Sequence, residues 1–333
     1  MTSRERVWAA LEGRAVDRPP VSFWGHFYHL ESSAAELVEA TLQSWREYRW
    51  DWVKLNPRKH YHVEPWGVRY RYPGVPDVKP RLESWPIHGP QDWALVTPRS
   101  ATAGALGEQI EAVRMLRSAL PPEVPLIETV FTPLAVLGEM VETPEELRSH
   151  LDSHPDLVRG ALEAVTATYE PFVRELLRAG ADGIYLATVD WASADLLTPA
   201  QHRAWARPWE QRVLAAAAGA PFKVLHVCKR RNLLFELSDY PVAAFSWATT
   251  DPTNPPLRLA LGRLGAAVMG GISQDGALQA DGPGAVLAEY EAALKETAGR
   301  RWLAAPGCSI PPSTPTRNLL AVRDAVASTR LPL

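Results

Sequence analysis

The chain has 333 residues, 46% of them hydrophobic and 22% charged, which is enough to bury a sizeable core in one large domain or two small ones. A net charge of −3 leaves no basic footprint for nucleic acid and no attraction to an anionic membrane surface. The opening MTSRERVWAALEGR places charges where a signal peptide needs its apolar segment, and no apolar run has the length of a membrane span. The expectation is a cytoplasmic protein with neither nucleic acid nor membrane among its partners.

Eight short apolar runs read as strands: 19–25, 50–57, 124–131, 180–190, 222–228, 242–247, 265–273 and 301–308. Segments of helical period separate them. The first is the N-terminal SRERVWAALEGR, expected to close the bottom or side of the fold. Near the C-terminus, PGAVLAEYEAALKE carries Pro283 in its first turn and a stripe of Val286, Leu287, Tyr290 and Leu294, while STPTRNLLAVRDAV offers Thr314 as cap with Pro315 after it. Strand and helix alternating eight times predict a (β/α)8 TIM barrel of one domain, 1–333, with a doubly wound open sheet as the alternative. Two stretches exceed the minimal unit: a double helix around 143–179, and 59–100, whose RYRYPGV reads as a hairpin over the barrel mouth.

In a barrel the chemistry gathers at the C-terminal ends of the strands. Those ends carry Trp24 and His26, Asn56 and Arg58, Glu128, Asp190, His226 and Cys228, Trp247, and Cys308. The chain has only two cysteines, too far apart in an intracellular protein to read as a disulfide framework. In a strand, residues two apart face the same side, so His226 and Cys228 can share a centre that Cys308 joins from another strand. Imidazole plus thiolate selects zinc, and three protein ligands leave one position for substrate. Taken singly, each of the three also reads as a buried structural residue.

The segments RERVWAALEGRAVDRPPV, GADGIYLATVDWASADLLTPAQHRAWARPW, and LHVC followed by APGCSIPPSTPTRNLLAV together resemble the uroporphyrinogen decarboxylase superfamily over nearly the whole chain. The resemblance implies a (β/α)8 barrel and one of two activities. The first is cofactor-free decarboxylation of uroporphyrinogen. The second is zinc-dependent transfer of a methyl group from a corrinoid (cobalamin) carried by a partner protein to a small-molecule thiol such as coenzyme M. The decarboxylase branch carries arginines after its Asp-Arg-Pro-Pro sequence and an aspartate at the end of its second strand. This chain has SFWGHFYHL and LNPRK there, and it carries the H-x-C and A-P-G-C pattern of the methyltransferase branch on His226, Cys228 and Cys308.

That branch continues H-x-C with glycine and a small polar residue, whereas Lys229, Arg230 and Arg231 follow here. This basic cluster reads either as a receptor for an anionic substrate tail or as a solvated helix start. Asp190 is a candidate to orient His226, to take the thiol proton or to complete the metal shell, and equally a structural aspartate. Glu128 divides between proton chemistry and structure. Trp24, His26, Asn56, Arg58, Trp247, Lys229 and Arg230 form the expected substrate-binding set, with the aromatics of the first two loops lining a flat cavity suited to a corrin or tetrapyrrole face. A uroporphyrinogen decarboxylase, or a zinc- or tetrapyrrole-binding protein without turnover, are the competing functions.

Overall fold

The computed structural model describes residues 1–332. Nine strands form: β1 (Val53–Leu55), β2 (Arg69–Arg71), β3 (Arg81–Ser84), β4 (Leu126–Phe131), β5 (Gly183–Ala187), β6 (Val224–His226), β7 (Ala244–Ser246), β8 (Ala267–Ile272) and β9 (Trp302–Pro306). Seven of them make one parallel sheet in the order β1-β4-β5-β6-β7-β8-β9. Each falls inside a run predicted as a strand. β2 and β3 pair antiparallel apart from it, within the long 59–100 stretch.

The remaining predicted strand, 19–25, fills the gap between the two edges of the sheet without forming a regular ladder. On one side Ser22 N donates to Ala304 O at 3.2 Å and Ala304 N to Pro20 O at 2.9 Å; on the other, Asp51 N donates to Val21 O at 2.8 Å and Ser22 Oγ to Trp52 O at 2.8 Å. Pro19 and Pro20 have no N–H to give a ladder, which is why only isolated bridges, Val21 to Ala304 and Gly25 to Ile310, survive there. The sheet is therefore curled and TIM-barrel-like, with one seam held by single hydrogen bonds.

Strand alternation sorts the side chains. Ile127, Tyr185, Val224, Ala244, Met269 and Leu303 pack together inside the curl, and Val7, Ala9 and Ala10 of the N-terminal helix Ser3–Glu12 join the same cluster from below. Their alternates, such as Leu126, Val130, Leu186 and Phe245, pack outward against the helices. Beneath the seam, Asp51 ties the start of the chain to β1. Its buried carboxylate accepts from Arg6 Nη1 at 2.7 Å, from Arg18 Nη1 at 2.7 Å and from Val21 N at 2.9 Å. Among the described residues no helix is long and apolar enough to cross a membrane.

Candidate metal centre

His226 ends β6 on the inward parity of Val224, and Cys228 follows two residues later. Cys308 lies two residues past β9. The three ligand atoms come within 4.8 Å of one another, and the two sulfurs are 4.0 Å apart. Among the described residues this is the one group of three or more His, Cys, Asp or Glu with such geometry. The sulfurs share a hydrogen bond that holds the Cys308 thiol well below its ordinary range and, together with burial, pushes Cys228 up.

The imidazole is oriented from behind. His226 Nδ1 lies 3.2 Å from Ser246 Oγ, which in turn lies 3.0 Å from the Tyr185 hydroxyl, and the Tyr185 ring stacks on the imidazole with centroids 5.1 Å apart. With Nδ1–H donating to Ser246, the lone pair sits on Nε2, which is buried and has no hydrogen-bond partner. A buried orphan nitrogen facing two free thiols is the donor set that zinc takes, so the residues fit the metal that the spacing predicts.

The loops around this centre hold strained backbone. Val189 after β5, and Lys229 and Arg231 after β6, have φ of 49°, 69° and 49°, the left-handed region that side chains with a Cβ rarely enter. Side chains compensate. Thr188 Oγ1 donates to His226 O at 3.0 Å, Arg231 N donates to Thr253 Oγ1 at 3.0 Å, and Asn254 Nδ2 donates to Lys229 O at 3.0 Å. The basic cluster does not open a helix of any length; the segment stays irregular until the single 3-10 turn Leu234–Leu237.

The other predicted residues separate into groups. Asp190 pairs with Lys229 Nζ at 3.1 Å at the half-exposed rim, and Asp195 takes Arg231 at 2.8 Å and Arg230 at 3.8 Å. Arg58 pairs with Glu64 at 2.6 Å and Glu108 at 2.9 Å. These cations are thus neutralised by neighbouring carboxylates. Trp247 is wholly buried in the outer core and donates Nε1 to Pro255 O at 2.8 Å, which makes it a packing residue. Glu128 turns away from the interior, sharing the outward parity of Leu126 and Val130. Burial pushes its carboxyl well above the usual range, and neither oxygen has a hydrogen-bond partner.

His26 pairs with Glu31 at 2.6 Å and stacks on Tyr28, whereas Trp24 and Asn56 lie inside, in company with a residue that the strand-end pattern misses. Lys54, two residues before Asn56 on the same face of β1, is buried inside the curl. Its Nζ donates to Asn56 Oδ1 at 2.7 Å and stands 4.6 Å from the Tyr185 ring and 5.2 Å from the Trp24 ring. Burial pushes its pKa down to about 7, against the opposing pull of Glu128 and Cys308. Ser309, beside Cys308, donates to Asn56 Oδ1 at 3.3 Å and links this group to the metal centre. The available signal was a lysine inside the apolar run WDWVKLNP, at a position where alternation forces the side chain inward.

A curled parallel sheet carrying an imidazole–dithiol cluster beyond its strand ends defines a TIM-barrel-like protein with a candidate metal centre. Residues 2–329 match the family model described as Uroporphyrinogen decarboxylase (URO-D), and the chain belongs to that family. It is 25% identical over 345 residues to a protein of Methanosarcina barkeri named Methylcobamide:CoM methyltransferase MtaA, covering 97% of this chain and 98% of that one. A Geobacter protein named uroporphyrinogen decarboxylase is 24% identical over 181 residues, covering 53% of this chain and 50% of that one. Among solved structures, a methyltransferase from Methanosarcina mazei superposes with a TM-score of 0.82 at 21% identity, covering 98% of this chain and 100% of that one. A B12-independent methionine synthase from Shewanella superposes with a TM-score of 0.60 at 14% identity, covering 93% and 96%.

Proposed function

We propose that the protein is a zinc-dependent methyltransferase, a single barrel domain that moves a methyl group from a corrinoid carried on a partner protein to a thiol acceptor. The observation that carries this reading is the His226, Cys228 and Cys308 cluster with its unpartnered Nε2. The full-length similarity to a protein named as a methylcobamide:CoM methyltransferase supports it.

Three side chains would hold the metal: His226 through Nε2, and Cys228 and Cys308 through sulfur. The chemistry that a bound zinc supplies is ionisation of an incoming thiol at neutral pH, which yields the nucleophile. The chain's own residues prepare the place. Ser246 and Tyr185 fix the His226 tautomer and ring plane. As thiolates on a bound metal, Cys228 and Cys308 would supply two negative charges to offset those of the ion. Lys54 faces the same region as the one interior cation, free of any carboxylate within salt-bridge distance among the described residues, and so offsets the extra negative charge of a substrate thiolate. The aromatic rings of Trp24 and Tyr185 flank its ammonium.

The test is anaerobic incubation of the zinc-loaded protein with methylcob(III)alamin and a panel of thiols. The expected result is cob(I)alamin by absorbance together with the S-methylated thiol by mass spectrometry. Absence of both for every thiol, or steady conversion of uroporphyrinogen to coproporphyrinogen by the same preparation, overturns the reading.

A further inference from the structure

Between the loop 23–30, the helix Ala34–Tyr48 and the segment after Cys308 lies a cavity of about 340 Å3, within the range of small-molecule sites. Phe23, Trp24, Tyr48 and Trp50 give it aromatic walls, and Ile310, two residues beyond Cys308, closes one side. Among the described residues not one lysine or arginine lines it. The charged groups at its margin are Glu47 and Asp77, and burial holds His26 below its ordinary pKa despite the partnership of Glu31.

Ile310 puts one wall of the cavity on the segment that follows Cys308, and the seam of the barrel lies between the cavity and the interior. Because 19–25 forms no regular ladder, a void of about 30 Å3 remains between it and β1. This void shares Phe23, Trp24 and Trp50 with the larger cavity and reaches Lys54 and Asn56 on its inner side. Asn56 Oδ1 accepts from Ser309, next to Cys308, at 3.3 Å, and on the outer side Ile310 N donates to Trp24 O at 2.9 Å. The void has room for a water-sized group and none for a sulfonate or phosphate. The cations that an anionic tail would seek elsewhere, Lys229, Arg230, Arg231 and Arg58, already face carboxylates.

We propose that this cavity receives the non-reacting end of the acceptor thiol, and that this end is an uncharged aromatic or branched-alkyl group rather than a sulfonate, phosphate or carboxylate. The assignment rests on the thiol methyltransferase reading given above. An apolar tail gains by leaving water against Trp24, Tyr48 and Trp50, whereas an anionic tail meets Glu47 and Asp77 with no compensating cation.

Two measurements test it. The first is calorimetric titration of the zinc-loaded protein with 2-phenylethanol, a sulfur-free probe of the cavity alone, repeated on Leu30→Trp and Ser44→Phe, which fill it from the loop and the helix. Saturable binding that both variants lose, with zinc content and melting temperature kept, is the expected result. No binding, or undiminished binding to variants so verified, overturns the assignment; should Ser44→Phe fail to fold, Leu30→Trp on the loop decides. The second compares 2-phenylethanethiol with 2-mercaptoethanesulfonate as methyl acceptors, where kcat/KM should favour the aromatic thiol by about tenfold or more. Preference for the sulfonate thiol overturns the assignment and leaves the methyltransferase reading standing. If neither thiol is methylated, the acceptor assignment falls, and the methyltransferase reading falls with it only when every other thiol of the panel fails too.

Discussion

Cys228 and Cys308 hold their sulfurs 4.0 Å apart although they leave strands β6 and β9, which are not neighbours in the sheet. β7 and β8 lie between them. Such an approach is possible only because the sheet curls, bringing the loops after distant strands over one centre. The pair is thus a consequence of closure.

That geometry predicts near-stoichiometric zinc in protein purified under reducing conditions. Cys228→Ser and Cys308→Ser should each lose most of it while keeping the far-ultraviolet circular dichroism of the parent, since both residues sit beyond their strands and outside the apolar clusters. Metal analysis that finds undiminished zinc in either variant removes the site.

Ser246→Ala tests how His226 is held. Removing the 3.2 Å acceptor from Nδ1 frees the tautomer and the ring without touching any ligand atom. Zinc affinity measured against a competing chelator should fall about 10- to 100-fold, and Ser246→Thr, which keeps a hydroxyl, should recover part of it.

Asp51 gives a contrast at the opposite end of the barrel. Its buried carboxylate anchors two guanidiniums and the Val21 amide, so Asp51→Ala leaves Arg18 without its carboxylate and Arg6 with Asp17 alone. Denaturant unfolding should show a loss of about 3–5 kcal/mol, with zinc content per folded molecule unchanged.

Much of this arrangement was legible in the sequence, because it follows from period and spacing. Seven strands appear within their predicted runs, and the two-residue spacing of His226 and Cys228 brings both to one centre. The seam was less legible: PPVSFWG has the apolar pattern of a strand, but its two prolines cannot donate to a ladder. Glu128 and Trp247 show the cost of reading strand ends without parity. Trp247 lies just past the end of β7, whereas Glu128 stands in the middle of β4, where in-register pairing with Leu55 and Ile184 sends it outward. Lys54 was hidden for the reverse reason, since it stands in the middle of β1, below the strand ends where polar residues signal a site.

Glu128→Gln follows from that outward placement. Burial pushes its carboxyl toward the neutral acid, so a neutral amide of the same shape replaces it at small cost, under about 1.5 kcal/mol in denaturant unfolding. Methyl transfer should keep kcat/KM within about threefold of the parent. A much larger drop in kcat with intact zinc would put Glu128 back among the reacting groups.

Lys54 makes the sharpest statement about pH. Its folded pKa of about 7 lies below that of an exposed lysine because burial penalises the ammonium more than Glu128 and Cys308 favour it. Above about pH 7 and below the ordinary lysine value, the unfolded chain therefore binds a proton that the folded chain does not, so this residue's contribution to stability rises with pH across that window. Below pH 7 both states carry the proton and the penalty is at its full size. Lys54→Met, which keeps the stem and removes the charge, should therefore stabilise the fold by about 1–3 kcal/mol near pH 6, after the lost hydrogen bond to Asn56 is counted, and by progressively less as pH climbs toward 10. Melting temperatures of parent and variant, taken in parallel from about pH 6 to pH 9.5, measure the difference directly. A variant that is less stable than the parent at pH 6 and draws level as pH rises would show that a buried partner holds the Lys54 charge and that burial does not govern it.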